Sequence, residues 1–203
     1  MLHPIPVLKE SPSQTAGPYV HIGMTPNFCG ITGVIAEDTG KTMLAEGYNG
    51  PRIALRGRVI DGSGAPVSDA VLEIWQADAE GNFPKQGDSP PLFTGWGRQP
   101  TQEDGSFLFD TVKPGRVKAP DGTLMAPHIS VWIVARGVNI GLQTRVYFDD
   151  EAEANAADYV LKKIMDLRRR ATLVAKRDDA DGTLAYHFDI RLQGEGETVF
   201  FDI

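Results

Sequence analysis

From Pro51 onward the chain is cut into short runs of branched and aromatic residues by clusters of Gly, Pro and Asp, and this punctuation constrains the fold more than any other feature. The runs cover 52–60, 70–76, 106–112, 128–135, 142–148, 172–177, 184–192 and 198–201. Between them stand Asp61-Gly62-Ser63-Gly64, Glu103-Asp104-Gly105, Lys113-Pro114-Gly115, Asp121-Gly122 and Asp181-Gly182. Gly tolerates positive φ and Pro presets its own, so these clusters reverse the chain. The pattern predicts a mostly-β domain, a two-sheet antiparallel β-sandwich.

One segment departs from it. Residues 150–170 are rich in Ala, Glu, Leu and Lys, with Asp149 or Asp150 placed as an N-cap, and predict a helical insertion near 150–170. Tyr159, Val160, Ile164 and Leu167 recur at spacings near three and four, which gives that insertion one apolar face. Residues 1–50 lack sustained periodicity and predict an extended N-terminal arm belonging to the same domain as a sandwich over 51–203.

Charge and composition remove several functions. The net charge is −7, and the one dense basic run, Arg168-Arg169-Arg170, follows the helical segment, where cations suit the helix C-terminus. A nucleic-acid surface needs clustered cations and is not expected. No apolar run approaches the roughly 20 residues that cross a bilayer, and no leader pattern opens the sequence, so a cytoplasmic protein is expected. Cys29 is the single cysteine, which excludes an internal disulfide and reads as an inert thiol.

The four histidines, His3, His21, His128 and His187, show no compact metal spacing. His128 opens the strand His128-Ile129-Ser130-Val131-Trp132, where residues two apart share a face, so His128 and Ser130 point the same way. A hydrogen-bonded structural histidine is the ordinary reading of that position, and a ligand the alternative.

The segments Leu72-Glu73-Ile74-Trp75-Gln76-Ala77-Asp78, Thr111-Val112-Lys113-Pro114-Gly115 and Ala126-Pro127-His128-Ile129 resemble the intradiol ring-cleavage dioxygenases in order and spacing. The opening Ser13-Gln14-Thr15-Ala16-Gly17-Pro18-Tyr19 and the ending Gln193-Gly194-Glu195-Gly196-Glu197-Thr198-Val199-Phe200-Phe201 extend the likeness over nearly the whole chain. They narrow it to the alpha-type chain of the two-chain members that act on protocatechuate. The resemblance implies Fe(III) held by two tyrosines and a His-x-His pair, hard phenolate donors being suited to ferric iron. Here the corresponding positions read Phe83, Val117 and His128-Ile129-Ser130, one ligand of four. No metal is therefore expected on this chain. The iron is expected on a beta chain, paired with this one in a hetero-oligomer, with protocatechuate and dioxygen as substrates.

The same resemblance makes Arg136 the expected binder of the substrate carboxylate, because a guanidinium forms charge-assisted bonds with such a group. Its ordinary reading is a strand-end ion pair. Thr15, Gly17 and Tyr19 match the arm that lines the pocket in this family, and otherwise read as a turn with a docked aromatic. Two rivals stay open: a purely structural subunit of the same complex, and a stand-alone β-sandwich binding module.

Overall fold

The computed structural model describes residues 15–84, 91–178, 182 and 184–202. Ser13, Gln14 and the rest of the arm before Thr15, together with Asp181 of one expected turn, lie outside the described residues. After a short helix, α1 (Val20–Met24), come β1 (Ile53–Ile60), β2 (Val71–Trp75), β3 (Trp96–Pro100), β4 (Ser106–Thr111), β5 (Ile129–Val134) and β6 (Leu142–Phe148). Three short helices follow, α2 (Ala152–Ala157), α3 (Tyr159–Lys163) and α4 (Leu167–Ala171), then β7 (Val174–Asp178), β8 (Ala185–His187) and β9 (Ile190–Arg191). None of the described helices is long and apolar enough to cross a membrane.

The strands form because their apolar residues alternate. In β1, Ile53, Leu55 and Val59 are buried while Arg56 and Arg58 face outward, and in β4 Phe107 and Phe109 do the same against Leu108 and Asp110. Antiparallel pairing sets Leu55 opposite Phe109 and Gly57 opposite Phe107, so the inward side chains meet in one core with Ile74, Ile129, Val131, Ile133 and Phe148.

Sheet order is β3-β2-β5-β6-β7-β8-β1-β4, with β9 added to β1. The expected division into two separate antiparallel sheets is not what the hydrogen bonds make. A short parallel pair, Tyr147 with Val174 and Phe148 with Ala175, joins the two four-strand groups, and β1 takes both β8 and β9 in parallel. The end strands β3 and β4 meet across the core, with the Phe109 ring 3.3 Å from where a Cβ at Gly97 would stand. Alternation tells which face of a strand is buried, but not which edges join.

Four further expectations change. The run at 184–192 breaks into β8 and β9 around Phe188-Asp189, because a Cβ at Gly57 would strike the Phe188 carbonyl and glycine lets that connection cross β1. The run at 198–201 forms no strand. It makes one isolated bridge to β6, Phe201 N donating to Gln143 O at 2.8 Å, and hydroxyls hold the residues before Phe201: Thr144 Oγ1 donates to Val199 O at 2.7 Å, and Val199 N donates to Thr172 Oγ1 at 3.1 Å. β3 was not expected, since Trp-Gly-Arg-Gln-Pro has no alternation; it forms where Met43 fills the space over Gly97, and as an end strand it tolerates Pro100.

The helical insertion is interrupted twice. Asp158 caps α3 by accepting from Val160 N and Leu161 N, and Asp166 caps α4 by accepting from Arg168 N. Such side-chain bonds offer the backbone an alternative to continuing the helix. Neither Asp149 nor Asp150 caps α2, whose N-cap is Glu151 without a side-chain bond. Asp150 is drawn to Lys113 Nζ at 3.0 Å, which also lies 2.6 Å from Glu151. Burial alone would lower the Lys113 pKa, but bonds with Glu151 and Asp150 leave it raised. Tyr186 donates to the same Asp150 at 2.8 Å, and burial together with that bond pushes its pKa up to about 12.

Candidate functional site

The arm folds back onto the turn after β5. Ala16 N donates to Val138 O at 3.0 Å and Gly137 N donates to Ala16 O at 3.1 Å, so Thr15 and Gly17 stand beside Arg136. Arg136 is 64% exposed, and its Nε lies 3.1 Å from Asp69 Oδ2. Thr15 Oγ1 reaches only the neighbouring Ala16 carbonyl, at 3.3 Å. Tyr19 is 77% exposed at the start of α1. A Cβ at Gly17 would meet no atom within 4 Å among the described residues.

A second group of expected positions gathers at the opposite end of β5. Asp78 Oδ1 accepts from Glu80 N and Asn82 N at 3.0 and 2.8 Å, forming the loop after β2. Gly81 has φ +84°, and a side chain there would collide with the Arg116 carbonyl. That contact brings residues 78–83 against 113–117. Phe83 then stacks on Trp75, ring centroids 5.7 Å apart and 5° from parallel. Val117 O accepts from Met125 N at 2.9 Å. Ser130 sits between Trp75 and Arg145 in the sheet register. His128 is 8% exposed, its Nδ1 2.8 Å from Ala126 O, which makes Nδ1 the protonated nitrogen because a carbonyl only accepts.

Sequence reasoning missed two residues here. Arg145 projects from the same face as Ser130 and lies 3.8 Å from Met125 Sδ. Asp158, fully buried, accepts from Ala126 N at 2.9 Å and Tyr147 OH at 3.3 Å besides capping α3. Alternation around Ser130 could have flagged the first, and an aspartate inside a helical run the second. Burial, and then the charge of Arg145, lower the His128 pKa, while burial and then Asp158 raise that of Tyr147. Both rings are thus held neutral.

Stability should record the histidine. Unfolded, it binds a proton near its ordinary 6.5, whereas the folded chain resists that proton. Stability is then fully present above that value and falls as pH drops below it. We expect Tm to decline from pH 7.5 to 5.5, and His128→Asn, which keeps a donor for Ala126 O, to flatten the decline. Equal slopes in the two proteins would refute this assignment.

A mostly-β frame with the loops after β2 and β4 and the start of β5 drawn together is that of an intradiol ring-cleaving dioxygenase. The chain belongs to this family: the Dioxygenase profile matches residues 24–194. It is 49% identical over 200 residues to the protocatechuate 3,4-dioxygenase alpha chain of Pseudomonas putida, spanning 98% of this chain and 99% of that one. It is also 31% identical over 179 residues to the protocatechuate 3,4-dioxygenase beta chain of Burkholderia cepacia, 82% of this chain and 75% of that one. Among solved structures, the dioxygenase domain of a dioxygenase and carbohydrate-binding fusion from Streptomyces sp. SirexAA-E superposes with a TM-score of 0.58 at 27% identity, over 76% of this chain and 87% of that one.

The family uses non-haem iron. The residues gathered at the start of β5 do not fit it. Phe83 and Val117 carry no donor atom, and Tyr147 is held as a neutral phenol bonded to Asp158. The carboxylate of Asp158 is committed to four donors, and the Arg145 guanidinium opposes a further cation. Among the described residues, no three His, Cys, Asp or Glu side chains converge as a metal cluster.

Proposed function

We propose that this chain is the alpha subunit of a two-chain protocatechuate 3,4-dioxygenase of the cytoplasm. It pairs with a protocatechuate 3,4-dioxygenase beta chain that carries Fe(III), in a hetero-oligomer. The reaction is the oxygen-dependent intradiol cleavage of protocatechuate to 3-carboxy-cis,cis-muconate, both atoms of dioxygen entering the product. The beta chain performs the ring cleavage; this chain supplies recognition and assembly.

The observation that carries the reading is the clasp of the arm on the turn after β5, which sets Thr15, Gly17 and Arg136 on one exposed surface, with Tyr19 exposed a few residues along the arm. Arg136 offers the substrate carboxylate an exposed guanidinium, Thr15 and Tyr19 offer hydroxyls, and Gly17 leaves room for close approach. Fixing the carboxylate end of the substrate orients its catechol toward the partner's site.

The Arg136–Asp69 pair also suits a purely structural subunit, and one experiment separates the readings. In the intact complex, Arg136→Ala should raise KM for protocatechuate roughly ten- to a hundredfold, the equivalent of a lost charged hydrogen bond of about 1.5–3 kcal/mol. The turnover number should change little, since uniform binding is what is removed. Arg136→Lys should recover part of the loss. An unchanged KM in a fully assembled Arg136→Ala complex would reject the recognition role and favour the structural subunit.

A further inference from the structure

Beyond this reading, a cleft of about 390 Å³ opens on the outer face of β5 and β6, roofed by α3 and the C-terminal tail. Its size falls within the roughly 300–1,000 Å³ of small-molecule sites. Ser130 and Arg145 line its floor, Lys163 stands at its rim, and Val160, Ile164 and Phe201 give it apolar walls. No acidic residue lines it, although the chain carries 27 acidic against 20 basic side chains.

We propose that this cleft is a second ligand site, specific for a small organic anion with one carboxylate on a flat apolar body. Arg145 and Lys163 have no carboxylate partner among the described residues. Arg145 touches Met125 Sδ at 3.8 Å, and Lys163 lies over the Tyr159 ring at 5.2 Å. Asp158, which caps the roofing helix α3, has its oxygens taken by Ala126 N, Val160 N, Leu161 N and Tyr147 OH. A guanidinium in a half-enclosed, mostly apolar cleft gains strongly from an anion that bonds it. Ser130 adds a hydroxyl beside it, and the apolar walls accept a ring.

The site is separate from the surface around Arg136. Ser130 and Arg136 lie six residues apart along extended chain, about 20 Å at 3.3 Å per residue. Of the positions that resemble iron ligands only Ser130 lines this cleft, and its strand neighbour Arg145 supplies the positive charge there.

Equilibrium dialysis of radiolabelled benzoate against the full chain co-purified with its beta chain tests this, with benzamide as the uncharged competitor. We expect a saturable class of about one benzoate per alpha chain, with Kd below about 1 mM, that benzamide does not displace. Arg145→Gln should weaken that class roughly tenfold or more. Lys163→Gln, on an exposed side chain whose loss spares the fold, should weaken it roughly threefold. Arg136→Ala, measured alongside, should leave this class in place, so failure of the recognition reading is seen separately. Absence of the class, or equal affinity in wild type and both cleft variants, overturns the proposal.

Discussion

Asp158→Ala should unfold this protein more readily than any other single carboxylate substitution among the described residues. Oδ2 accepts from Ala126 N at 2.9 Å, and Oδ1 accepts from Val160 N at 2.9 Å, Leu161 N at 3.0 Å and Tyr147 OH at 3.3 Å, all in a fully buried setting. Alanine removes an N-cap, costing about 1 kcal/mol, and orphans a buried amide and a buried phenol at about 1–3 kcal/mol each. A total of roughly 3–7 kcal/mol corresponds to a Tm lowered by roughly 10 °C or more in a chain of this size. Asp158→Asn should cost less, because its oxygen still serves α3 and Tyr147 while its amide group faces the Ala126 N–H donor to donor. Thermal melts of the three proteins at equal concentration check this. A Tm for Asp158→Ala within a degree or two of wild type would show that the insertion stands without its buried cap.

Gly57→Ala should come next. A Cβ at that position would meet the backbone carbonyl of Phe188, which no side-chain rotation can relieve. Around it Phe188 N donates to Arg56 O at 2.8 Å and Arg58 N donates to Asp189 Oδ1 at 3.0 Å, so the contact lies where β8 passes into β9 over β1. Relief requires β1 and that connection to part, at a cost of about 3 kcal/mol. Gly23→Ala is the contrast: it sits in α1 with no atom within 4 Å of the added carbon, and alanine there should be neutral or stabilising by about 0.5–1 kcal/mol. Urea denaturation of both variants separates local crowding from a general intolerance of glycine replacement.

The parts of the fold legible in the sequence are those whose signal is local. β1, β4, β5 and β6 show themselves because Ile53, Leu55 and Val59, or Ile129, Val131 and Ile133, alternate with outward residues. What escaped depends on residues distant in sequence. β3 owes its place to Met43 packing over Gly97, β8 and β9 to the absent side chain of Gly57, and the tail to hydroxyls of Thr144 and Thr172 with one backbone bond from Phe201 to Gln143. The parallel β6–β7 pair rests on two residue pairs and leaves no trace in periodicity.

The candidate site divides the same way. Arg136 and the arm residues were nominated through resemblance to a family, and so were Phe83, Val117 and Ser130 as the positions where that family's ligands would stand. That the arm and the Arg136 turn exchange backbone hydrogen bonds was not readable, because the 120 residues between them carry no mark of the encounter. Nor was the cationic cleft. Arg145 looks like an ordinary outward arginine until its strand neighbour, its helix roof and its lack of a carboxylate partner are seen together.

The proposed function divides labour between two chains: recognition and assembly on this one, metal and ring cleavage on its partner. Iron content and protocatechuate-dependent oxygen uptake, measured for this chain alone, for the beta chain alone and for the two co-expressed, test it most directly. We expect no stoichiometric iron and no turnover in this chain alone, with full iron and activity when the beta chain is present beside it. Stoichiometric iron and oxygen uptake by this chain alone would contradict it, and would require donors other than Phe83, Val117 and Ser130 to hold the metal.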